Sequence, residues 1–471
     1  MQSYKGYELT VGLEVHVELK TESKIFCSCS TAFGAPPNTQ CCPVCTGMPG
    51  ALPVLNRQVV DYAIKAGLAL DCEIGTHSGQ DRKNYFYPDL PKAYQISQYK
   101  RPLCSNGRLT FGGQGEEKTV QITRIHIEEE AGKLIHKEDG STLIDCNRCG
   151  VHLIEIVTEP QIHSAEDAKE FLQKLRTLML YTEVSDCKMN EGSMRCDVNL
   201  SVRKEGQPLG QRTEIKNLNS FAFVMKAIDY EYKRQVDVIE GGGCIQQETL
   251  RFEEESGRTL SMRKKENAPD YRFFPDPDLP PVVLTKERIE EIRCTLPVLP
   301  DERMAVYRER YGLSFADAQR LTAQRARADY FEEAAGHTTA YQILANLLNE
   351  ESAQDTPRVT PFQLAQLATL LQEGTINSAT ARRVLLELCG KEDVLVKDYV
   401  MNRGLCQIND TDVLTELVKQ ALLESPRAVT DYRNGKKKAA MVIVGAVMKK
   451  TAGKANAPIV ENLVLSLLEE Q

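Results

Sequence analysis

No window of the 471 residues approaches the ~18 consecutive apolar residues that a membrane-spanning helix requires, which excludes a helical membrane protein. Three common catalytic signatures are missing as well. There is no Gly-x-x-x-x-Gly-Lys-Ser/Thr loop, no Gly-x-Ser-x-Gly elbow and no His-Glu-x-x-His helix, which counts against a P-loop ATPase, an esterase and a zincin. Neither an apolar signal core nor an Arg-rich presequence follows Met1, and a cytoplasmic location is the expectation. Nor is there an excess of positive charge: 58 basic residues face 66 acidic ones, a net charge of −8. Any contact with nucleic acid must therefore come from local patches.

What is present is the composition of an ordinary globular protein, 42% hydrophobic and 26% charged, and long enough for several domains at ~100–200 residues each. Fifteen cysteines would suit a disulfide framework in a small secreted chain; in a chain of this length reduced thiols, some of them metal-bound, are expected. Residues 275–281 hold four prolines and cannot continue a helix or a central strand. Before them, short alternating runs are separated by Gly, Pro and Asn turns. From Lys286 onward, Ala, Leu, Glu, Gln and Arg recur at helical spacing. The expected fold class is α+β: a β-rich domain over residues 1–285, an all-α domain over 286–405 and a small helical tail domain over 406–471. The tail is introduced by Gly404 and the cap signal Asn409-Asp410-Thr411.

The opening strand is the clearest local signal. Leu9, Val11, Leu13, Val15, Val17 and Leu19 alternate with polar residues, which puts Glu14, His16 and Glu18 on one face, ~6.6–6.8 Å apart at each step. The same period groups Asp197 with Asn199, Glu214 with Lys216, and Arg124 with His126 and Glu128. One solvated face of an antiparallel sheet explains such alternation by itself. Converging carboxylates and a histidine would also suit Mg²⁺, which prefers oxygen ligands and keeps part of its shell for water and substrate phosphates.

Cys27-x-Cys29, followed after twelve residues by Cys42-Pro-Val-Cys45, is the most specific spacing in the chain. Two thiol pairs this close, joined by a turn-rich loop at 34–38, can surround one tetrahedral Zn²⁺. Four buried free thiols are the alternative, and Cys41 competes with Cys42 as the ligand. Four thiolates leave no open position for water, so such a site is structural. Cys146-x-x-Cys149 has no second pair nearby and receives no role. Aromatic and basic residues interleave over 82–100, with Arg82, Lys83 and Tyr85 at the start, and again over 258–274. The mixture can stack bases and hold phosphates, or form a partly buried strand pair with basic edges. In the tail, residues 427–454 carry eight cations, including Lys436, Lys437 and Lys438, against Asp431 alone, a net +7. A patch of that kind suits an RNA backbone as well as a solvated helix.

Five motifs together carry a more specific signal. Gly12-Leu-Glu-Val-His-Val-Glu-Leu19, Arg82-Lys-Asn-Tyr-Phe-Tyr-Pro-Asp89, Glu191-Gly-Ser-Met-Arg-Cys-Asp-Val-Asn199, Lys216-Asn-Leu-Asn-Ser-Phe221 and Asp270-Tyr-Arg-Phe-Phe-Pro-Asp-Pro-Asp-Leu-Pro280 closely resemble the B-subunit family of bacterial tRNA-dependent amidotransferases. The likeness extends to Tyr432-Arg-Asn-Gly-Lys436 and Gly453-Lys-Ala-Asn456 in the tail. It implies a cradle-like first domain that uses ATP and Mg²⁺ to phosphorylate the side-chain carboxylate of Glu on tRNA(Gln) or Asp on tRNA(Asn), after which ammonia displaces the phosphate. A glutaminase A subunit and a small C subunit are the implied partners. Carried over by position, the catalytic and magnesium-binding residues are Glu14, His16, Glu129 and Glu214, with Glu128 an alternative to Glu129 and with Glu155 and Asp197 as second-tier candidates. The cysteine quartet resembles the zinc-bearing branch of the family; Cys146 and Cys149 depart from its usual pattern. Two rival readings are a noncatalytic zinc-bearing tRNA-binding scaffold and a stand-alone ATP-dependent ligase.

Overall fold

The computed structural model describes residues 3–113, 115–264, 271–350 and 359–469, in two compact units that meet in sequence at Leu299 and Pro300. The architecture is α+β: a mixed sheet dominates the first unit, and the second is helical.

The first unit is organised by the opening strand Tyr7–Glu18. Its alternation buries Val11, Leu13, Val15 and Val17 to 1% exposure or less on one side, each contributing ~1.5–3 kcal/mol, and leaves Glu14, His16 and Glu18 on the other. It sits at the centre of a nine-stranded sheet. In spatial order the strands are Arg258–Lys264, Glu248–Glu253, Thr213–Leu218, Met194–Lys204, Tyr7–Glu18, His152–Thr158, Lys118–Glu129, Cys104–Phe111 and Glu73–Ile74. Every pairing is antiparallel except that of Thr213–Leu218 with Glu248–Glu253. Parallel neighbours need a crossover, and the helix Phe221–Glu240 supplies it. With Arg57–Ala69 and Ala165–Tyr181 this helix contributes its apolar face to the core of the unit. Asn56, Ser164 and Ser220 cap the three helices by accepting backbone N–H groups, as short polar side chains do at helix starts.

A three-stranded sheet, Phe274–Pro275, Asp81–Asn84 and Tyr94–Ser97, is pinned to the large one through amide side chains. Gln95 Nε2 donates to the Glu129 carbonyl at 2.7 Å, and the Ile127 N–H donates to Gln98 Oε1 at 3.0 Å. The proline-rich run thus begins as an edge strand, where a missing N–H costs no ladder bond. Helix Lys286–Arg293 then packs back on the unit: Ile292 enters its core, and Arg288 donates to Asp61 at 2.6 Å. The shift to helical composition at Lys286 therefore precedes the change of unit.

The second unit builds two hydrophobic cores, one within residues 307–405 and one within 408–468. Asp410 caps helix Thr411–Glu424. Among the described residues, no helix is long and apolar enough to cross a membrane.

Candidate functional site

Strand alternation brings five strands' polar residues onto one face of the large sheet. The register sets His16 opposite Glu155 on one side and Arg195 on the other, Glu155 opposite His126, Glu14 opposite Asp197, and Asn199 opposite Glu214. Two acid clusters result. In the first, His16 Nε2 lies 3.3 Å from Glu128 Oε1 and 3.7 Å from Glu155 Oε2, while His126 Nε2 lies 3.0 Å from Glu155 Oε2. Burial alone would keep both imidazoles neutral, yet Glu128 and Glu155 outweigh it and raise both pKa values. Burial likewise disfavours the Glu128 anion, but the two histidines hold it well below the usual carboxylate range, and His126 lowers Glu155 in the same way.

The second cluster is Glu14, Asp197 and Glu214, whose ligand atoms lie within 4.8 Å of one another, as do those of His16, Glu128 and Glu155. Asn199 donates to Glu14 at 2.8 Å, Thr249 to Glu214 at 3.2 Å, and Lys216 to Asp197 at 2.5 Å and to Glu214 at 2.9 Å. Burial and the neighbouring charges of Glu155, Glu214 and Asp197 push the Glu14 carboxyl up, against the Asn199 hydrogen bond. Despite the cost of its own burial, Lys216 is held above the ordinary lysine value by Asp197 and Glu214. Oxygen atoms on opposite sides of a Mg²⁺ ion stand about 4.2 Å apart at ~2.1 Å per bond, so donor sets gathered within 4.8 Å need only a small inward adjustment to hold a hard divalent cation.

The clusters line a groove with two hollows. One, of about 600 Å³, is bordered by Glu14, Glu155, His126, Arg124 and Lys100; the other, of about 350 Å³, by His16, Glu128, Asp197 and Lys216. Lys83 borders both, reaching in from the small sheet with its ammonium 4.9 Å from the Tyr271 ring centre. Tyr99 and Phe273 stack at 4.3 Å on the rim. Arg82 serves differently: its guanidinium is committed to Asp276 at 2.7 Å and Asp278 at 2.8 Å and lies over the Tyr94 ring, locking the small sheet. Tyr85 meets Tyr271 edge to face. Lys265 lies outside the described residues, as do the side chains of Arg263 and Lys264.

Glu129 is not brought to either cluster. Consecutive residues of a regular strand point to opposite faces, and here Glu128 takes the place beside His16. The Glu129 carboxylate is held behind the sheet by Lys92 and by the Ile96 N–H at 2.8 Å. Sequence patterning gave His126 and Arg124 a polar face but no role. Glu155, a second-tier candidate embedded in the apolar run Leu153 to Val157, is brought into the first cluster by its cross-strand register with His16 and His126.

A third cluster unites Cys27, Cys29, Cys42 and Cys45, again within 4.8 Å. The Cys42 and Cys45 sulfurs are 3.9 Å apart, close to the ~3.8 Å edge of a ZnS₄ tetrahedron with ~2.3 Å bonds. Cys41 is not part of this group; its thiol donates to the Asn38 carbonyl. The hydrogen bond from Cys27 brings Cys45 down to about 4, against burial and helped by the Cys42 N–H and Lys24. Burial leaves Cys29 up at about 11. Four sulfurs gathered at this spacing match the donor set of a closed zinc site. In the second unit, Lys436, Lys437 and Lys438 are exposed; Lys436 pairs with Asp431 at 3.0 Å, and the Lys437 ammonium lies 4.7 Å from the Tyr432 ring centre.

A family model described as the GatB/GatE catalytic domain matches residues 9–290, which include every residue of the groove, and one described as the GatB domain matches residues 326–468. Among curated proteins, the chain is 52% identical over 482 residues to the aspartyl/glutamyl-tRNA(Asn/Gln) amidotransferase B subunit of Caldicellulosiruptor bescii, covering 98% of this chain and 99% of that one. The protein of the same name from Caldicellulosiruptor saccharolyticus matches to the same extent. That from Caldanaerobacter subterraneus subsp. tengcongensis is 50% identical over 470 residues, with 97% and 98% covered.

Proposed function

Because this chain belongs to the family of aspartyl/glutamyl-tRNA(Asn/Gln) amidotransferase B subunits, we propose that its acidic groove is the synthetase site of a tRNA-dependent amidotransferase. The observation that carries this reading is the pair of acid clusters side by side in one groove, overhung by Lys83. In the proposed reaction a side-chain carboxylate oxygen of Glu on tRNA(Gln), or of Asp on tRNA(Asn), attacks the γ-phosphorus of ATP and ADP leaves. Ammonia, supplied by a glutaminase A subunit that a small C subunit holds in place, then attacks the acyl carbon and phosphate leaves.

His16, Glu128 and Glu155 would hold one Mg²⁺ and Glu14, Asp197 and Glu214 another. Bound Mg²⁺ supplies charge neutralisation for the phosphates during transfer. His16 must lose its proton to serve as a ligand, so His126 remains as the cation that keeps Glu155 and Glu128 oriented. Lys83 approaches from above and is suited to a phosphate oxygen; Tyr99 and Phe273 offer a stacked platform for a base. The exposed lysines at 436–438 would contact the tRNA backbone, and a structural Zn²⁺ on the cysteine quartet would fix the 27–45 loop. Measuring ATP hydrolysis by the reconstituted complex with and without misacylated tRNA tests the reading. Hydrolysis that depends on misacylated tRNA is expected. None at all would favour a noncatalytic scaffold, and tRNA-independent turnover a stand-alone ligase.

A further inference from the structure

The two acid clusters are balanced in different ways. Imidazoles offset Glu128 and Glu155, whereas the ammonium of Lys216 offsets Asp197 and Glu214. The backbone is shaped to bring it there. Strand Thr213–Leu218 pairs Ile215 with Val198 and Leu218 with Cys196, so Lys216 and Asn217 together stand against the single residue Asp197. This is a β-bulge, a device that re-aims a side chain. Asn217 takes the strain of it with φ 64°, a left-handed conformation that asparagine tolerates better than most residues. The result puts Nζ 2.5 Å from Asp197 and 2.9 Å from Glu214, on the border of the hollow that Lys83 also reaches.

An ammonium in that position occupies the charge environment a divalent ion would need. Resting on the reading of the groove as a two-cation site, we infer that Lys216 is a tethered counter-ion of the second cluster, a positioning residue that gives way to the second divalent ion only when the phosphates of a nucleotide draw it off. The lysine stem is long and flexible, and a triphosphate in the adjoining hollow offers it a stronger partner than two carboxylates shared with a metal. Occupancy of the second site is thereby coupled to the presence of nucleotide.

The test is the number of Mn²⁺ ions bound by the full chain, counted from the free-ion electron paramagnetic resonance signal, with Mn²⁺ alone and then with a non-hydrolysable ATP analogue. The wild type should bind one ion without nucleotide and two with it. Lys216→Met should bind two without nucleotide, the second roughly tenfold or more tighter than in the wild type, because a like charge within a few ångströms is gone. Lys216→Arg, which keeps the charge, should behave as the wild type, and circular dichroism checks that each variant is folded. Equal Mn²⁺ counts and affinities in the wild type and Lys216→Met overturn the inference while leaving the cation site intact. No bound Mn²⁺ in any of these proteins overturns the reading of the groove as well.

Discussion

His152 begins the strand next to the opening one and is fully buried; Nε2 faces the Leu19 carbonyl and lies 3.2 Å from Thr21 Oγ1. Its ring fastens the segment from which the cysteine loop departs. Burial lowers its pKa from an ordinary 6.5 to about 4. Between those values the unfolded chain carries a proton that the folded chain refuses, so stability falls as the pH drops from about 6.5 to about 4. At ~1.4 kcal/mol per pH unit, the loss is about 3 kcal/mol. His152→Gln keeps a donor and cannot titrate. It should cost about 1–2 kcal/mol at pH 7.5 through imperfect packing and hydrogen bonding. The two proteins should become equally stable near about pH 5.5, and the variant should be the more stable one below that. The chain has no tryptophan, so far-UV circular dichroism should follow urea unfolding at half-unit steps from pH 4.5 to 7.5. His16 and His126 titrate in both proteins and cancel in the difference. A difference that stays constant across the range would refute the reasoning.

If the cysteine quartet holds zinc as proposed, Cys42→Ser should lose bound zinc and thermal stability, because metal binding and loop folding are coupled, whereas Cys41→Ser should retain both; elemental analysis of protein purified without chelator distinguishes them. Glu128→Gln should abolish tRNA-dependent ATP hydrolysis with tRNA affinity unchanged. Glu129→Gln should instead destabilise the fold by ~2–4 kcal/mol, since the largely covered Lys92 is left without its counter-charge, and the exchange of these two outcomes would reverse the assignment. Deleting the residues after Asn409 should flatten the salt dependence of tRNA binding by ~0.7–0.9 log units per lost phosphate contact, as a filter-binding series in KCl would reveal.

Much of this was legible from period alone. The alternation around Glu14 and His16 predicts both the strand and its two faces, because side chains on a pleated strand have no other choice. The pairing of Cys27 and Cys29 with Cys42 and Cys45 survives for a similar reason: short spacing leaves few ways to separate the thiols. What period cannot supply is register. Glu155 joins His16 only because two strands far apart in sequence align at that residue, and Glu128 displaces Glu129 by the phase of a strand whose end the sequence leaves ambiguous. The bulge at Lys216 and Asn217 is invisible for the same reason, being a property of a pair of strands. Arg82 carried a basic-aromatic signal, but its carboxylate partners lie nearly two hundred residues later, at Asp276 and Asp278.

The central position of the first strand has a consequence during synthesis. Leu13 and Thr158 hydrogen-bond across the sheet yet are 145 residues apart. At ~5–20 residues per second on a ribosome, the opening strand emerges roughly 7–30 s before that neighbour exists. For that interval a twelve-residue segment with a continuous apolar side is displayed unpaired to solvent or to a holding chaperone. Its other neighbour arrives later still, with Asn199, which is 185 residues beyond Glu14. The first acid cluster cannot assemble before Glu155 is made, nor the second before Glu214, so neither is available to steady the earlier nascent fragment.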